Sequence, residues 1–131
     1  MGVVAVLVAA LAGFAMGAVW YMTLSRPWME AAGIPMDADG KPQGNGSPLP
    51  FVVSGIAMIL VAGMMRHIFV MSGIEGAVAG LIAGLGVGLF FITPWVAMNY
   101  AYAMRPVKLT VLDGGYAVLG PGVIGLVLGL F

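Results

Sequence analysis

The chain contains no cysteine, and it has very few charged residues. The first absence excludes disulfides, thiolate metal sites, iron–sulfur clusters and cysteine nucleophiles. Asp, Glu, Lys and Arg together make up only 8% of the 131 residues, and the formal net charge is zero. Because the five basic residues form no run or stripe, the sequence carries no electrostatic footprint for nucleic acid. A nucleic-acid partner is therefore excluded.

Catalytic patterns are also missing. No serine stands in a Gly-x-Ser-x-Gly context, and the glycines lie inside apolar segments rather than in a phosphate-binding loop. The only histidine, His67, follows Arg66 near a predicted helix end, where both favour the helix dipole. A haem ligand would look similar, but no second ligand motif accompanies it. We therefore expect a protein that is not an enzyme and that holds no metal and no cofactor.

What the chain has in excess is apolar surface. Hydrophobic residues make up 62% of the sequence, far more than a soluble domain of this length buries. Four segments approach or exceed the roughly 20 apolar residues that cross a bilayer. The predicted fold is all-α: a single integral membrane four-helix bundle over residues 1–131, in contact with the lipid bilayer. The helices are expected at about residues 3–22, 48–71, 74–104 and 111–131, with a mobile loop at 35–47.

Local signals predict how these helices begin and bend. Ser47 is a candidate N-cap, and Ser72 with Glu75 has the spacing of a capping box. Thr110 and Asp113 have the same spacing, which places Asp113 at the third position of the last helix. Pro94 removes one helical hydrogen bond and predicts a bend in the third helix. A short interfacial helix is expected from residue 27 to residue 32, before Gly33.

Small residues recur at every fourth position in three of the predicted helices. Such spacing lets helix backbones approach closely in lipid, where no hydrophobic drive brings helices together. The three ladders are Ala5, Ala9, Gly13 and Gly17 in the first helix, Gly76, Gly80, Gly84 and Gly88 in the third, and Ala117, Pro121, Gly125 and Gly129 in the fourth. They predict small-xxx-small packing faces, within the chain or with a second copy, and leave the second helix peripheral.

The basic residues predict an orientation. Arg26, Lys41, Arg105 and Lys108 flank the first and third loops, whereas only Arg66 lies on the opposite side. The positive-inside rule places the loops with the four basic residues in the cytoplasm. Both termini are then expected on the outer side of the membrane. The membrane itself is expected to be the inner membrane of a bacterium.

All three tryptophans and all four tyrosines lie at one end of the apolar segments. Aromatic rings anchor helices at a membrane interface, but anchoring does not explain why the other end has none. The candidate polar cluster at this end, for binding or for structure, is Trp20, Tyr21, Trp28, Asn99, Tyr100, Arg105, Lys108, Asp113 and Tyr116. Asp113 is either a functional group or a helix cap paired with Arg105 and Lys108. Asn99 is expected to hold helices together by hydrogen bonds.

Two blocks of this sequence resemble a known family. The first is GAVWY at residues 17–21 with Trp28, and the second runs from Asn99-Tyr100 through RPVKL at 105–109 to DGGY at 113–116. They are similar to signature regions of a bacterial family of small four-helix membrane proteins, domain of unknown function 1761. The resemblance spans essentially the whole chain, although Met22-Thr23 stands where that family tends to have Ser-Pro. It implies the four-helix architecture but no activity.

These observations favour a non-enzymatic membrane protein that associates through its small-residue faces, with itself or as an accessory subunit of a larger membrane complex. Its expected partners are a second copy of the chain or another membrane protein. The alternative is a small channel, transporter or lipid-binding protein with a site near Asp113.

Overall fold

The computed structural model describes residues 2–40 and 47–131, and it confirms the all-α prediction. The helices are α1 (Gly2–Thr23), α2 (Ser25–Ala32), α3 (Leu49–Ser72), α4 (Ala77–Val87), α5 (Thr93–Tyr102) and α6 (Val107–Leu130). A π-helical turn at Gly88–Ile92 joins α4 to α5, so residues 77–102 form one span. This span and the helices α1, α3 and α6 are each long and apolar enough to cross a membrane. The chain is thus a multi-pass membrane protein. Lys41 and the rest of the stretch 41–46 in the predicted loop at 35–47 lie outside the described residues.

The last helix, α6, is the centre of the bundle. It packs against α1, α3, α4 and α5, whereas the described parts of α4 and α5 make no substantial contact with α1 or α3. The degree of burial follows this arrangement. In an 18-residue apolar stretch of each span, 39% of the α6 stretch is buried inside the protein, against 11% of the α3 stretch. The second span is accordingly peripheral, and most of its outer surface is left for lipid or another chain.

The glycine ladder of α4 lies against the ladder of α6. A Cβ atom on Gly80 would collide with the backbone carbonyl of Gly125, and one on Gly84 would collide with that of Pro121. Gly88 faces the backbone of Ala117 in the same way, and Gly129 faces that of Gly76. Because backbone meets backbone along this seam, the two ladders are occupied within the chain and are not available to a second copy.

The ladder of α1 meets side chains instead. Ala5, Ala9, Gly13 and Gly17 are all buried. A Cβ on Gly13 would lie 2.8 Å from a methyl carbon of Ile124, and one on Gly17 would lie 2.7 Å from the hydroxyl oxygen of Tyr116. The core of the bundle forms around this face, with Met65 and Phe69 of α3 contributing the largest buried groups beside Ile124.

The turn between the second and third spans differs from its prediction. The capping box of Ser72 and Glu75 does not form, because the helix begins at Ala77 rather than near Ile74. Gly73 has a φ of 68° and Gly76 a φ of 91°, conformations that side-chain-bearing residues rarely adopt. These two glycines end α3 and delay α4, so the connection is about one helical turn longer than expected.

Pro94 is accommodated by a change in the helical turn that precedes it. A proline inside a helix clashes with the carbonyl four residues back, here that of Phe90. The wider π-helical turn at Gly88–Ile92 lies at this point, and the N–H of Thr93 donates to Gly88, five residues earlier. Such single π turns accommodate an interruption without ending the helix.

The start of the last helix is also corrected. It begins at Val107 instead of Val111, because extended Pro106 (ψ 145°) precedes it and accepts a hydrogen bond from the N–H of Leu109. Proline suits this boundary because its fixed φ of about −65° is compatible with an extended residue before the helix. The predicted capping box of Thr110 and Asp113 is therefore wrong, and Asp113 lies in the second turn of the helix.

Candidate functional site

Asp113 is a half-buried carboxylate inside a membrane span. It is the seventh residue of α6, about 9 Å along the helix from Val107 at 1.5 Å per residue. No other aspartate or glutamate lies within the four spans of the described chain. An ionisable residue at such a position is costly and is by default a candidate for function.

Three aromatic side chains donate hydrogen bonds to this carboxylate. The hydroxyl of Tyr21 donates to Oδ1 over 2.6 Å, and the indole N–H of Trp28 donates to the same oxygen over 2.9 Å. The hydroxyl of Tyr100 donates to Oδ2. We call Asp113, Tyr21, Trp28 and Tyr100 the carboxylate cluster. Its members come from α6, α1, α2 and α5, so one carboxylate joins four helices.

The hydrogen bonds explain how the carboxylate is tolerated. An unpaired ion in an apolar environment is strongly disfavoured, whereas each hydrogen bond to a charged group contributes roughly 1.5–3 kcal/mol. All three donors are neutral, and no Lys or Arg among the described residues pairs with Asp113. The predicted ion pair with Arg105 or Lys108 is therefore not formed.

The two basic residues have other places. The guanidinium of Arg105 donates to the carbonyl oxygen of Ala32, the last residue of α2, while Lys108 is exposed. A cation at a helix C-terminus complements the dipole, so Arg105 holds α2 rather than the carboxylate. Gly33, with a φ of 74°, ends α2 beside it.

Two more aromatic residues of the predicted cluster bind backbone carbonyls nearby. The indole N–H of Trp20 donates to Leu112 over 2.8 Å, and the hydroxyl of Tyr116 donates to Gly13 over 2.8 Å. The ring of Tyr21 packs edge-on against those of Trp28 and Tyr116, with centroids 5.8 and 5.6 Å apart. The hydrogen bonds of Trp20 and Tyr116 join α1 to α6, and neither of these two residues donates to Asp113.

Asn99 does not take part in the site. The sequence predicted that it would join helices, but its side chain is exposed and has no hydrogen-bond partner among the described residues. Met29, in contrast, was not singled out, although only 1% of its surface is exposed. It is the buried residue of α2, which packs against α6 and α1. The signal for it was weak, because one methionine in an eight-residue helix shows no clear period.

The arrangement is suited to joining helices through one carboxylate. It contains no cysteine or histidine, and the described residues include no group of three metal-ligating side chains. Oδ1 of Asp113 accepts two hydrogen bonds and Oδ2 accepts one, so a single lone pair of Oδ2 is left for a further partner.

Comparison with known proteins gives one match. The model of a family described as Protein of unknown function (DUF1761) matches residues 4–129 of the chain. No curated protein and no solved structure is significantly similar to it. The matched range includes nearly all of the four spans and every residue of the carboxylate cluster, and the family description assigns a role to none of them.

Proposed function

Because the chain belongs to the DUF1761 family of unknown function, as its two sequence blocks predicted, we propose from its own surfaces that it is a non-enzymatic, self-associating membrane protein. The surface that supports this proposal is the outer face of α5 and of the π turn before it. Phe91, Trp95, Asn99 and Tyr102 lie there at spacings of four, four and three residues, which places them on one side of a helix. We call these four residues the α5 stripe.

The α5 stripe is uncovered in the monomer. Phe91 is 68% exposed, Trp95 66% and Tyr102 86%, and Asn99 between them is exposed as well. In this region α5 packs only against α6 and the adjoining π turn. The opposite side of the third span therefore has no neighbour within the described chain.

Asn99 is the observation that carries the proposal. Its amide lies within the span 77–102 and has no hydrogen-bond partner among the described residues. Polar side chains in membrane helices hydrogen-bond across helix interfaces, and the average pair contributes about 0.6 kcal/mol. An amide is both donor and acceptor, so two copies of Asn99 related by a twofold axis complement each other. A second copy of this chain is the partner that this chemistry favours.

The small-residue ladders do not provide this interface, because those of α4 and α6 already pack against each other. Association as an accessory subunit would use the α5 stripe as well, with another membrane protein in place of the second copy. We place the protein in a bacterial inner membrane with the aromatic end in the cytoplasm and both termini outside. Labelling of a single cysteine introduced at Ala38 by an impermeant reagent checks this orientation.

Self-association can be tested by disulfide crosslinking. Because the chain has no native cysteine, any crosslink between copies must involve the introduced cysteine. We expect a single cysteine at Tyr102 to form a crosslinked dimer under mild oxidation in native membranes. A cysteine at Leu60, equally lipid-facing on α3 with 67% exposure, is the matched control and should stay monomeric. Adding Asn99→Leu to the Tyr102 variant should reduce the dimer about threefold, whereas adding Ser54→Leu, an exposed polar residue of α3, should not.

Native mass spectrometry in mild detergent identifies the partner. A homodimer supports the proposal, and a reproducible complex with a different membrane protein replaces self-association by the accessory role. A strictly monomeric protein with no co-purifying partner, together with equal crosslinking at both positions, would overturn both.

A second function is favoured by a different observation, the carboxylate of Asp113 inside a span. In this alternative the protein is a small channel, transporter or lipid-binding protein, and Asp113 binds a proton or another cation. The distinguishing property is that substitution of Asp113 would then abolish activity while dimerisation through the α5 stripe persists.

A further inference from the structure

Arg66 lies at the opposite end of the molecule from the carboxylate cluster. It is half-buried in α3, six residues before the end of that helix at Ser72, which is about 9 Å of helix rise. Its guanidinium lies over the first turn of α1, since a Cβ on Gly2 would be 2.9 Å from Cζ. Among the described residues it forms no ion pair and no hydrogen bond. A guanidinium in a membrane span without a partner calls for an anion from outside the chain.

Two grooves meet at Arg66, of which the first is apolar. The first has a volume of about 420 Å³ and runs between α1 and α3, where it is lined by Val3, Val6, Leu7, Ile59 and Gly63. The second has a volume of about 570 Å³ and lies between α3 and the end of α6, where it is lined by Phe69, Ile74, Leu128 and Leu130. Arg66 and Val70 line both grooves. The first groove is almost wholly apolar, whereas the second has a mixed lining that includes Glu75.

We propose that this end of the molecule binds one phospholipid, with its phosphodiester on Arg66, an acyl chain along the first groove and its headgroup in the second. A guanidinium is the side chain best matched to phosphate, because its planar N–H groups form paired, charge-assisted hydrogen bonds. Basic pockets between membrane helices are suited to lipid headgroups for the same reason. The first groove supplies the apolar surface that a free phosphate ion would not use.

Glu75 specifies the headgroup further. Glu75 lines the second groove together with Arg66, but the two side chains form no ion pair. One cation and one anion that line the same groove without pairing complement a headgroup that itself carries a phosphate and an ammonium group. The ligand is therefore an aminophospholipid of the phosphatidylethanolamine type, and a purely anionic headgroup would meet repulsion from Glu75.

The test is lipid binding measured by native mass spectrometry on the intact protein in mild detergent. Dioleoyl phosphatidylethanolamine, dioleoyl phosphatidylglycerol and inorganic phosphate are titrated separately. We expect a one-to-one adduct with phosphatidylethanolamine, weaker binding of phosphatidylglycerol and no competition from inorganic phosphate. Equal or tighter binding of phosphatidylglycerol would overturn the headgroup assignment, and displacement by inorganic phosphate would overturn the lipid assignment.

Variants then locate the site. Arg66→Gln should weaken phosphatidylethanolamine binding about tenfold, while Arg66→Lys should retain part of it. The matched control is Arg26→Gln, which removes an exposed arginine at the other end of the molecule and should leave binding unchanged. Gly63→Leu fills the first groove without changing charge, since the nearest atom to a Cβ there is 4.0 Å away, and should weaken binding as well. Unchanged binding in both Arg66→Gln and Gly63→Leu would overturn the proposal.

Discussion

The two halves of α6 are held in place by opposite means. Its first turns, around Asp113 and Tyr116, are tied to α1, α2 and α5 by hydrogen bonds from aromatic side chains. Its second half, from Ala117 to Gly129, has its backbone against the backbone of α4 at Gly80 and Gly84, where no side chain intervenes. The first half depends on which side chains are present, and the second depends on their absence. A membrane bundle thus uses two separate devices where a soluble protein relies on burial of apolar area.

The largest effect should come from the backbone seam. Gly84→Val places a branched side chain against the carbonyl of Pro121, where neither backbone can move without opening the contact. Overpacking of this kind typically costs 1–3 kcal/mol, and we expect a loss of about 3 kcal/mol in the free energy of unfolding in detergent. Chemical denaturation followed by circular dichroism measures it.

The matched control for the seam lies in the same helix. A Cβ on Gly86 meets nothing within 4 Å, so Gly86→Val should change the free energy of unfolding by less than about 0.5 kcal/mol. Equal destabilisation by the two substitutions would show that helix propensity rather than backbone contact governs this half of α6.

The second prediction concerns the carboxylate. Asp113→Asn replaces one acceptor oxygen by an amide that is itself a donor, so it faces the donors of the cluster unfavourably. We expect a loss of about 2 kcal/mol in the free energy of unfolding. Asp39→Asn in the first loop is the control and should have no measurable effect. If Asp113→Asn is as stable as the native protein, the carboxylate cluster is not a structural tie.

The smallest effect is expected for one donor of the cluster. Tyr21→Phe keeps the ring between Trp28 and Tyr116 but removes one of the three hydrogen bonds to Asp113. We expect a loss of about 1 kcal/mol, because the other two donors remain. Ser54→Ala, which removes an exposed hydroxyl group on α3, is the control and should have no measurable effect. A loss larger than that of Asp113→Asn would reverse the order and indicate that the tyrosine hydroxyl has a second partner.

Much of the fold was predictable because membrane-spanning segments can be recognised in a sequence by their length and their hydrophobicity. The four spans and the all-α class required only the runs of hydrophobic residues. The fourfold spacing of Gly80 and Gly84 also indicated a packing face, since few other reasons place glycine at that period inside a helix. It did not indicate which helix would be the partner, because Gly125 and Gly129 carry the same signal for any neighbour.

The candidate site was predictable only in part. Clustering of tryptophan and tyrosine at one end pointed to the right residues, and Tyr21, Trp28 and Tyr100 were among them. The interpretation of Asp113 as a helix cap was wrong, because Thr110 has the capping spacing whether or not the helix starts there. Asn99 was expected to face another helix, yet the rotation of α5 against α6 turns it outward.

The sequence by itself determined that lipid surrounds the protein, how many spans it has and which residues are available for contact. These properties depend on composition and local spacing. Only the tertiary structure decided which contacts are made. Asp113 is separated by 85 to 92 residues from two of its donors, and no local pattern encodes a distance of that kind. The physical reason is that packing of glycine backbones sets how α6 is placed, and that placement then determines which aromatic side chains reach its one carboxylate.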